Sequence, residues 1–281
     1  MRTLLLSVLG ASMFSLLYYV ALTQQTPNVI ELPQRIPFEF SEKDFGKPEL
    51  RHEKKELAQP PDNPSMPYDA PAHTCYHLEA TRPLPALDKG PRYFHPAYSF
   101  VCIVPTTDPT EDDFSKSYPT VAKAVAQIKA LLKNRPKEFR QFDDVFDFPY
   151  NNAGWAFKTK VSYLDHKLVK GVFFVTQYTQ ELTPNPANNE ELTANFQGIT
   201  QDGKYYLAAR FSISHPKLPR GIDFTDDRVR ELALKARTPE EINARTAAYL
   251  KLEERKVSQL DDREFQPSLP SIKRLLSSIN P

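Results

Sequence analysis

The chain has 281 residues, 40% hydrophobic and 25% charged, and its 36 basic and 35 acidic side chains leave a net charge of only +1. With no long basic stripe to displace counterions, nucleic acid is excluded as a main partner. Glycine is scarce (8) beside proline (26), which argues against a phosphate-cradling or dinucleotide loop, because those loops need glycine for close backbone approach.

Behind the lone Arg2, residues 3–30 carry no charge, and residues 4–22 (LLLSVLGASMFSLLYYVAL) form an apolar run. The run is about as long as the roughly 20 residues needed to span a bilayer, and longer than a usual signal-peptide core. Arg2 sets the N-terminus in the cytoplasm and the remainder across the membrane, with Tyr18 and Tyr19 near the far headgroup layer. No A-x-A triplet marks a cleavage point and no cysteine follows for lipid anchoring. Residues 1–25 therefore read as a single-pass signal anchor or, if cleaved, as a signal peptide releasing a periplasmic or secreted chain.

Residues 26–72 read as a proline-rich, charged linker, too poor in apolar surface to offset the entropy of ordering. Their proline spacing makes them semi-rigid and extended. Within them, the FEFSEKDF patch has the aromatics to dock on a domain. A single domain is expected over residues 73–281. HTCYHLE and YSFVCIV are its first two strands. Pro119 suits the first position of a helix, and Val121, Val125, Ile128 and Leu132 make one apolar stripe, ended by Pro136.

From Trp155 the period becomes two. In AFKTKVSYL, Phe157, Thr159, Val161 and Tyr163 face one way and Lys158, Lys160 and Ser162 the other. LVKGVFFVTQY is apolar on both faces, as a covered central strand requires. ELTANFQGI and KYYLAARFSIS alternate on either side of Asp202-Gly203, a hairpin turn signal. These four strands make an antiparallel meander. Thr225 can cap a short helix. Thr238-Pro239-Glu240-Glu241 is a capping box opening a helix with Ile242, Tyr249, Leu250, Val257 and Leu260 inward, and LPSIKRLLSSIN closes the chain as another. The fold class is α+β: an antiparallel meander sheet of about 4–6 strands, covered by helices on at least one face.

Three clusters carry candidate chemistry. Cys75 and Cys102 are the only cysteines and, outside the cytoplasm, most simply form a disulfide. The alternative is a metal site: His73, Cys75 and His77 alternate on one strand face, and His95 or Cys102 could complete four Zn²⁺ or Cu donors. Asp143, Asp144 and Asp147 cluster acids, but their spacing fits no calcium loop. Lys158, Lys160, Tyr206 and Arg210, with Asn195 and Gln197 nearby, fall on the polar sheet face and could hold an anionic or sugar-like ligand. There is no G-x-S-x-G, H-E-x-x-H or Gly-rich phosphate loop, and no cofactor is called for.

The segment from Phe94 onward, in particular FQGITQDGKYYLAARFSISHP, together with FHPAYSFVCIVP and the terminal PSLPSIKRLLSS, resembles a family of bacterial extracytoplasmic domains with no established activity. The resemblance covers about two-thirds of the chain and implies a secreted or membrane-anchored domain, with no site residue to carry over. At fold level alone the element order is similar to the extrinsic subunits of photosystem II, which carries no function by itself. The expected function is non-catalytic. It is a membrane-tethered extracytoplasmic domain binding a protein or envelope component, with a small-ligand or metal-binding envelope protein as the alternative and an envelope hydrolase behind both.

Overall fold

The computed structural model describes residues 28–31, 37–46, 48–53, 69–78, 99–137, 139, 154–179, 185–221 and 238–279. The apolar leader, the acidic run at Asp143, Asp144 and Asp147, the helix expected after Thr225, and His95 lie outside them. Among the described residues no helix is long and apolar enough to cross a membrane.

Nine strands are described: β1 (Asn28–Glu31), β2 (Pro37–Phe40), β3 (Pro48–Glu53), β4 (His73–Leu78), β5 (Ser99–Pro105), β6 (Gly154–Asp165), β7 (Val169–Thr179), β8 (Leu192–Thr200) and β9 (Tyr205–Ser212). β1 and β2 pair as a two-stranded ribbon, and the other seven form one sheet in the order β3-β4-β5-β9-β8-β7-β6. Every neighbouring pair in it is antiparallel. The expected meander is β6 to β9, and its β8–β9 hairpin turns at Asp202-Gly203. There Gly203 takes a φ of 75°, and the Asp202 carboxylate accepts from Thr200 Oγ1 (2.6 Å) and Lys204 N (3.1 Å).

The sheet exceeds the expected 4–6 strands because β3 pairs with β4 along its full length, Pro48 opposite Leu78 through Glu53 opposite His73. β3 lies inside the stretch read as linker, so ordered structure begins before residue 73. The short helix α1 (Glu42–Phe45) also lies there, and its Phe45 is buried with its ring 5.7 Å from that of Phe211. The FEFSEKDF patch therefore docks, and Ser278 fastens it by donating to Glu39 O (3.1 Å) and accepting from Glu39 N (2.8 Å). Proline content marked the segment as extended, and an extended segment satisfies its backbone as readily on a sheet edge as in water.

Helices cover both faces. On one side lies α3 (Pro119–Asn134), preceded by the short α2 (Phe114–Ser117). It buries Val121, Ala124, Ile128 and Leu131 against β7 and β8. Asp69 accepts from the first turn of α3, at Thr120 N (2.8 Å), and burial pushes its carboxyl pKa up against those bonds. On the other side lie α4 (Pro239–Ser258), capped as expected by Thr238, and α5 (Leu269–Ser277), capped by Ser268. Leu250, Val257, Ile272, Leu275 and Leu276 join Phe173, Phe196, Leu207 and Phe211 in that core. Phe196 lies over the paired Gly171 and Gly198, where a Cβ at Gly171 would meet its ring at 2.3 Å. One expected inward residue is not inward: Ile242 is 39% exposed. The packed half of α4 begins at Tyr249 and Leu250, and most of the residues before it are exposed.

Candidate functional site

β7 is apolar on both faces, but β8 and β9 are not, and their pleat sorts the difference. In β9, Leu207, Ala209 and Phe211 point to α4 and α5, while Tyr206, Ala208 and Arg210 point to the α3 side. Arg210 is the largest fully buried side chain, 1% exposed, on a row with Phe100, Asn195 and Phe174. A guanidinium stays ionised in a protein, so its burial needs local compensation. Arg210 Nη2 donates to the Tyr178 hydroxyl (2.9 Å), which lies 3.3 Å from Asn195 Oδ1 as donor, and Asn195 Nδ2 donates to Thr193 Oγ1 (2.9 Å). The guanidinium also sits 4.5 Å from the Tyr178 ring centroid and 5.4 Å from that of Phe100.

The chain continues sideways. Tyr178 meets Trp155 edge to face at 6.4 Å, and Lys158 Nζ lies 3.7 Å over the Trp155 ring. Two buried cations, three aromatic rings and an amide–hydroxyl pair thus form one strip across β9, β8, β7 and β6. Lys158, Tyr206 and Arg210 share this face as the sequence predicts, with Tyr206 at its α3-covered end.

Lys160 does not join them. β6 changes register between Thr159 and Ser162, and Lys160 takes a φ of 52°, so the alternation reverses. Phe157 belongs to the α4 side, whereas Val161 and Tyr163 belong to the α3 side. The Lys160 ammonium reaches the C-terminal end of α4, donating to Ser258 O (3.2 Å), Leu260 O (2.7 Å) and Asp262 Oδ1 (2.7 Å). That position satisfies terminal carbonyls and complements the helix dipole, a structural role.

Beside the Lys158 end of the strip, a cavity of about 180 Å³ opens between β6 and α4, lined by Phe139, Ala156, Lys158, Leu250, Lys251 and Glu254 among others. That is smaller than the roughly 300 Å³ at which drug-sized ligand sites begin, so an occupant would be a small ion or fragment.

On the α3 face of β4 and β5, Cys75 and Cys102 sit directly opposite one another and form a disulfide. A disulfide in the middle of the sheet indicates an oxidising, extracytoplasmic environment. His73 lies beside it. The His73, Cys75 and Cys102 donor atoms all fall within 4.8 Å of one another, and all three residues are buried. His73 Nδ1 is 2.9 Å from Pro71 O; a carbonyl only accepts, so Nδ1 carries the proton and Nε2 the lone pair. His77, on the same strand, is buried but stands outside this group. As a disulfide, the pair offers no thiolate to a metal.

Sequence reasoning placed Lys158 and Arg210 on one face and missed Tyr178 and Trp155, which link them. The available signal was a tyrosine and a tryptophan at opposite ends of adjacent strands, which only the register Trp155 opposite Tyr178 brings together. Comparison of the chain with protein-family models, with curated proteins and with solved structures finds no match. The chemistry of these clusters has to be read from their own residues.

Proposed function

We propose that this chain is a non-catalytic extracytoplasmic domain, tethered to the membrane by the apolar leader, that binds a protein or envelope component. The observation that carries the reading is α4. Its C-terminal half is anchored through Leu250, Glu253 and Val257, and Glu253 accepts from Ala187 N at 2.8 Å. Its N-terminal half stands in solvent: Glu240, Glu241, Ile242, Asn243, Ala244, Ala247 and Ala248 are exposed, and Leu252 further along is 60% exposed. A rigid, pre-formed helix with exposed apolar side chains presents a surface to a partner at low ordering cost. The disulfide supports the compartment and the leader supports the tether.

The test is a photo-crosslinking residue at position 248 in the full-length chain, expressed in its bacterial envelope. The expected result is a discrete adduct in the membrane fraction that disappears when Ile242→Glu and Leu252→Glu are added. Both substitutions lie on solvent-exposed positions and leave the fold intact. No adduct, or one indifferent to those substitutions, would reject the reading.

A second reading rests on the Arg210–Tyr178–Asn195 strip and the cavity at Lys158, which favour a small anionic ligand. Equilibrium dialysis of small carboxylates and phosphate against the purified chain tests it; loss of any binding in Lys158→Met supports it, and no binding rejects it.

A further inference from the structure

We propose that the partner of α4 is a second copy of this chain, whose α4 packs antiparallel on the first about a two-fold axis at Ala248. The inference rests on the reading of α4 as a docking helix and names its occupant. Leu250, Glu253 and Val257 fix the inward side of the helix. With 3.6 residues per turn, Ala248 lies on the opposite side, and Glu241, Ala244, Leu252 and Arg255 fall within about 40° of it. All five are exposed. The outward stripe of a surface helix is ordinarily polar. The middle of this one is Ala244, Ala248 and Leu252, with Leu252 60% exposed.

The order of residues along the stripe decides the occupant. Ala244 and Leu252 lie four residues either side of Ala248, and Glu241 and Arg255 lie seven either side. A two-fold axis at Ala248 therefore sets Ala244 of each copy beside Leu252 of the other, and Glu241 of each beside Arg255 of the other. Such a self-complementary face is what an isologous interface requires. A small side chain beside a large one lets two helices approach to the roughly 8–10 Å of packed axes. Glu240 and Lys256, eight residues either side and exposed, flank the stripe and repeat the charge arrangement.

Charge also fixes the direction. Parallel pairing would set Glu241 against Glu241 and Arg255 against Arg255, and like charges across an interface cost affinity. Antiparallel pairing brings opposite charges together at both ends and sets each helix dipole against its opposite. Arg245 and Lys251 meet as like charges in this register, but Glu254 holds the Lys251 ammonium at 3.0 Å and offsets them. The stripe runs about 21 Å and one helix is about 10 Å wide, so the contact is smaller than the roughly 1,200 Å² of a stable interface. The dimer is therefore of the weak, concentration-dependent class, and the tether proposed above supplies the effective concentration.

The experiment uses the full-length chain in detergent with Cys75 and Cys102 still bonded. Ala248→Cys places a thiol at the axis, and mild oxidation followed by non-reducing electrophoresis reads the covalent dimer. The expected result is a dimer for Ala248→Cys, and one between Ala244→Cys and Leu252→Cys chains when they are mixed. Ala244→Cys alone should give little, because its two copies stand about 12 Å apart along the axis. In the Ala248→Cys chain, Glu241→Arg should slow dimer formation at least about tenfold, and adding Arg255→Glu to the same chain should restore it. Both reversals lie at exposed positions and leave the circular dichroism unchanged. No dimer from Ala248→Cys, Ala244→Cys joining itself in preference to Leu252→Cys, or a reversal that Arg255→Glu does not rescue would overturn the pairing. The photo-adduct at position 248 separates this inference from the reading beneath it. An adduct at twice the mass of one chain supports both. An adduct at any other mass keeps α4 as a docking helix and overturns the second copy, and no adduct overturns both.

Discussion

On the face that carries α4 and α5, β9 presents Leu207, Ala209 and Phe211; on the α3 face the same strand presents Tyr206, Ala208 and Arg210. The first face is filled by hydrocarbon from α4 and α5 and by the docked Phe45 of α1. The second carries, besides the residues packed under α3 and its own aromatic rings, Arg210, Lys158, Asn195, Thr193 and Thr176, all buried. Non-directional burial organises one side. The other depends on directional bonds, with Arg210 through Tyr178 and Asn195 to Thr193 as its spine. A face that was only a core would not need two cations, which is why the polar half is the part of the sheet with chemistry to offer.

Two adjacent residues test that contrast with the largest effects. Phe211→Ala should cost about 3–5 kcal/mol in urea unfolding, as a buried phenyl leaves a cavity. Arg210→Ala should cost a similar amount, about 3–5 kcal/mol, because a large buried side chain leaves a cavity and the Tyr178 hydroxyl loses its donor. Arg210→Met separates the two faces: it restores volume without charge and should return most of the loss. If it is as damaging as alanine, the arginine's bonds are indispensable to the fold and the contrast is one of wiring rather than of spare polarity. Next in size is the disulfide on the same face. Cys75 and Cys102 enclose a separation of 27 residues, so Cys75→Ala with Cys102→Ala should cost roughly 3 kcal/mol. A loss below about 1 kcal/mol would mean the hydrogen-bonded rows of β4 and β5 already hold that edge unaided.

Most of the apolar face was legible in the sequence, and the polar face only in outline. The meander, the hairpin at Asp202-Gly203, the start of α3 at Pro119 and the cap at Thr238 follow from local chemistry, because each signal and its consequence lie within a few residues. β3 was not legible: its pairing depends on β4 in sequence order but shows no alternation or β-rich composition of its own. Ile242 was misassigned because periodicity reports which side of a helix is apolar and not how far along the helix that side is covered. Lys160 was misassigned because a positive φ at a lysine has no sequence mark, and one irregularity reverses every later side chain on the strand.

That reversal can be measured. Lys158 and Lys160 are two residues apart on opposite faces, and the contrast between faces predicts different costs for the same change. Lys160→Met deletes charge-assisted bonds to Ser258 O, Leu260 O and Asp262, and should cost about 1.5–3 kcal/mol with fraying at the end of α4. Lys158→Met retains a long apolar stem against Trp155 and should cost about 1 kcal/mol or less from the lost cation–π contact, visible as a change in Trp155 fluorescence. Equal costs would place both ammonium groups in comparable surroundings and contradict the register change.

The smallest effect expected is a pH dependence from His215, whose ring is fully buried on the apolar side against Phe265, centroids 4.8 Å apart. Its Nδ1 accepts from Lys217 N at 3.2 Å, so protonation there would break a bond, and Nε2 lies 3.3 Å from Glu264 Oε2. Burial pushes its pKa below the ordinary value of 6.5; Glu264 and, more weakly, Asp261 oppose that, while Lys217 and Lys160 reinforce it. Between the lowered folded value and about 6.5 the unfolded chain binds more protons than the folded one, so stability rises with pH through that window. The contribution is complete above about pH 6.5 and is lost as the pH falls toward the folded value. Urea midpoints followed by Trp155 fluorescence should therefore drop between pH 7 and pH 5 in the wild type, and drop less in His215→Gln. A slope left unchanged by His215→Gln would mean that the buried ring does not exchange its proton over this range, and that the apolar side is as closed to protons as it is to water.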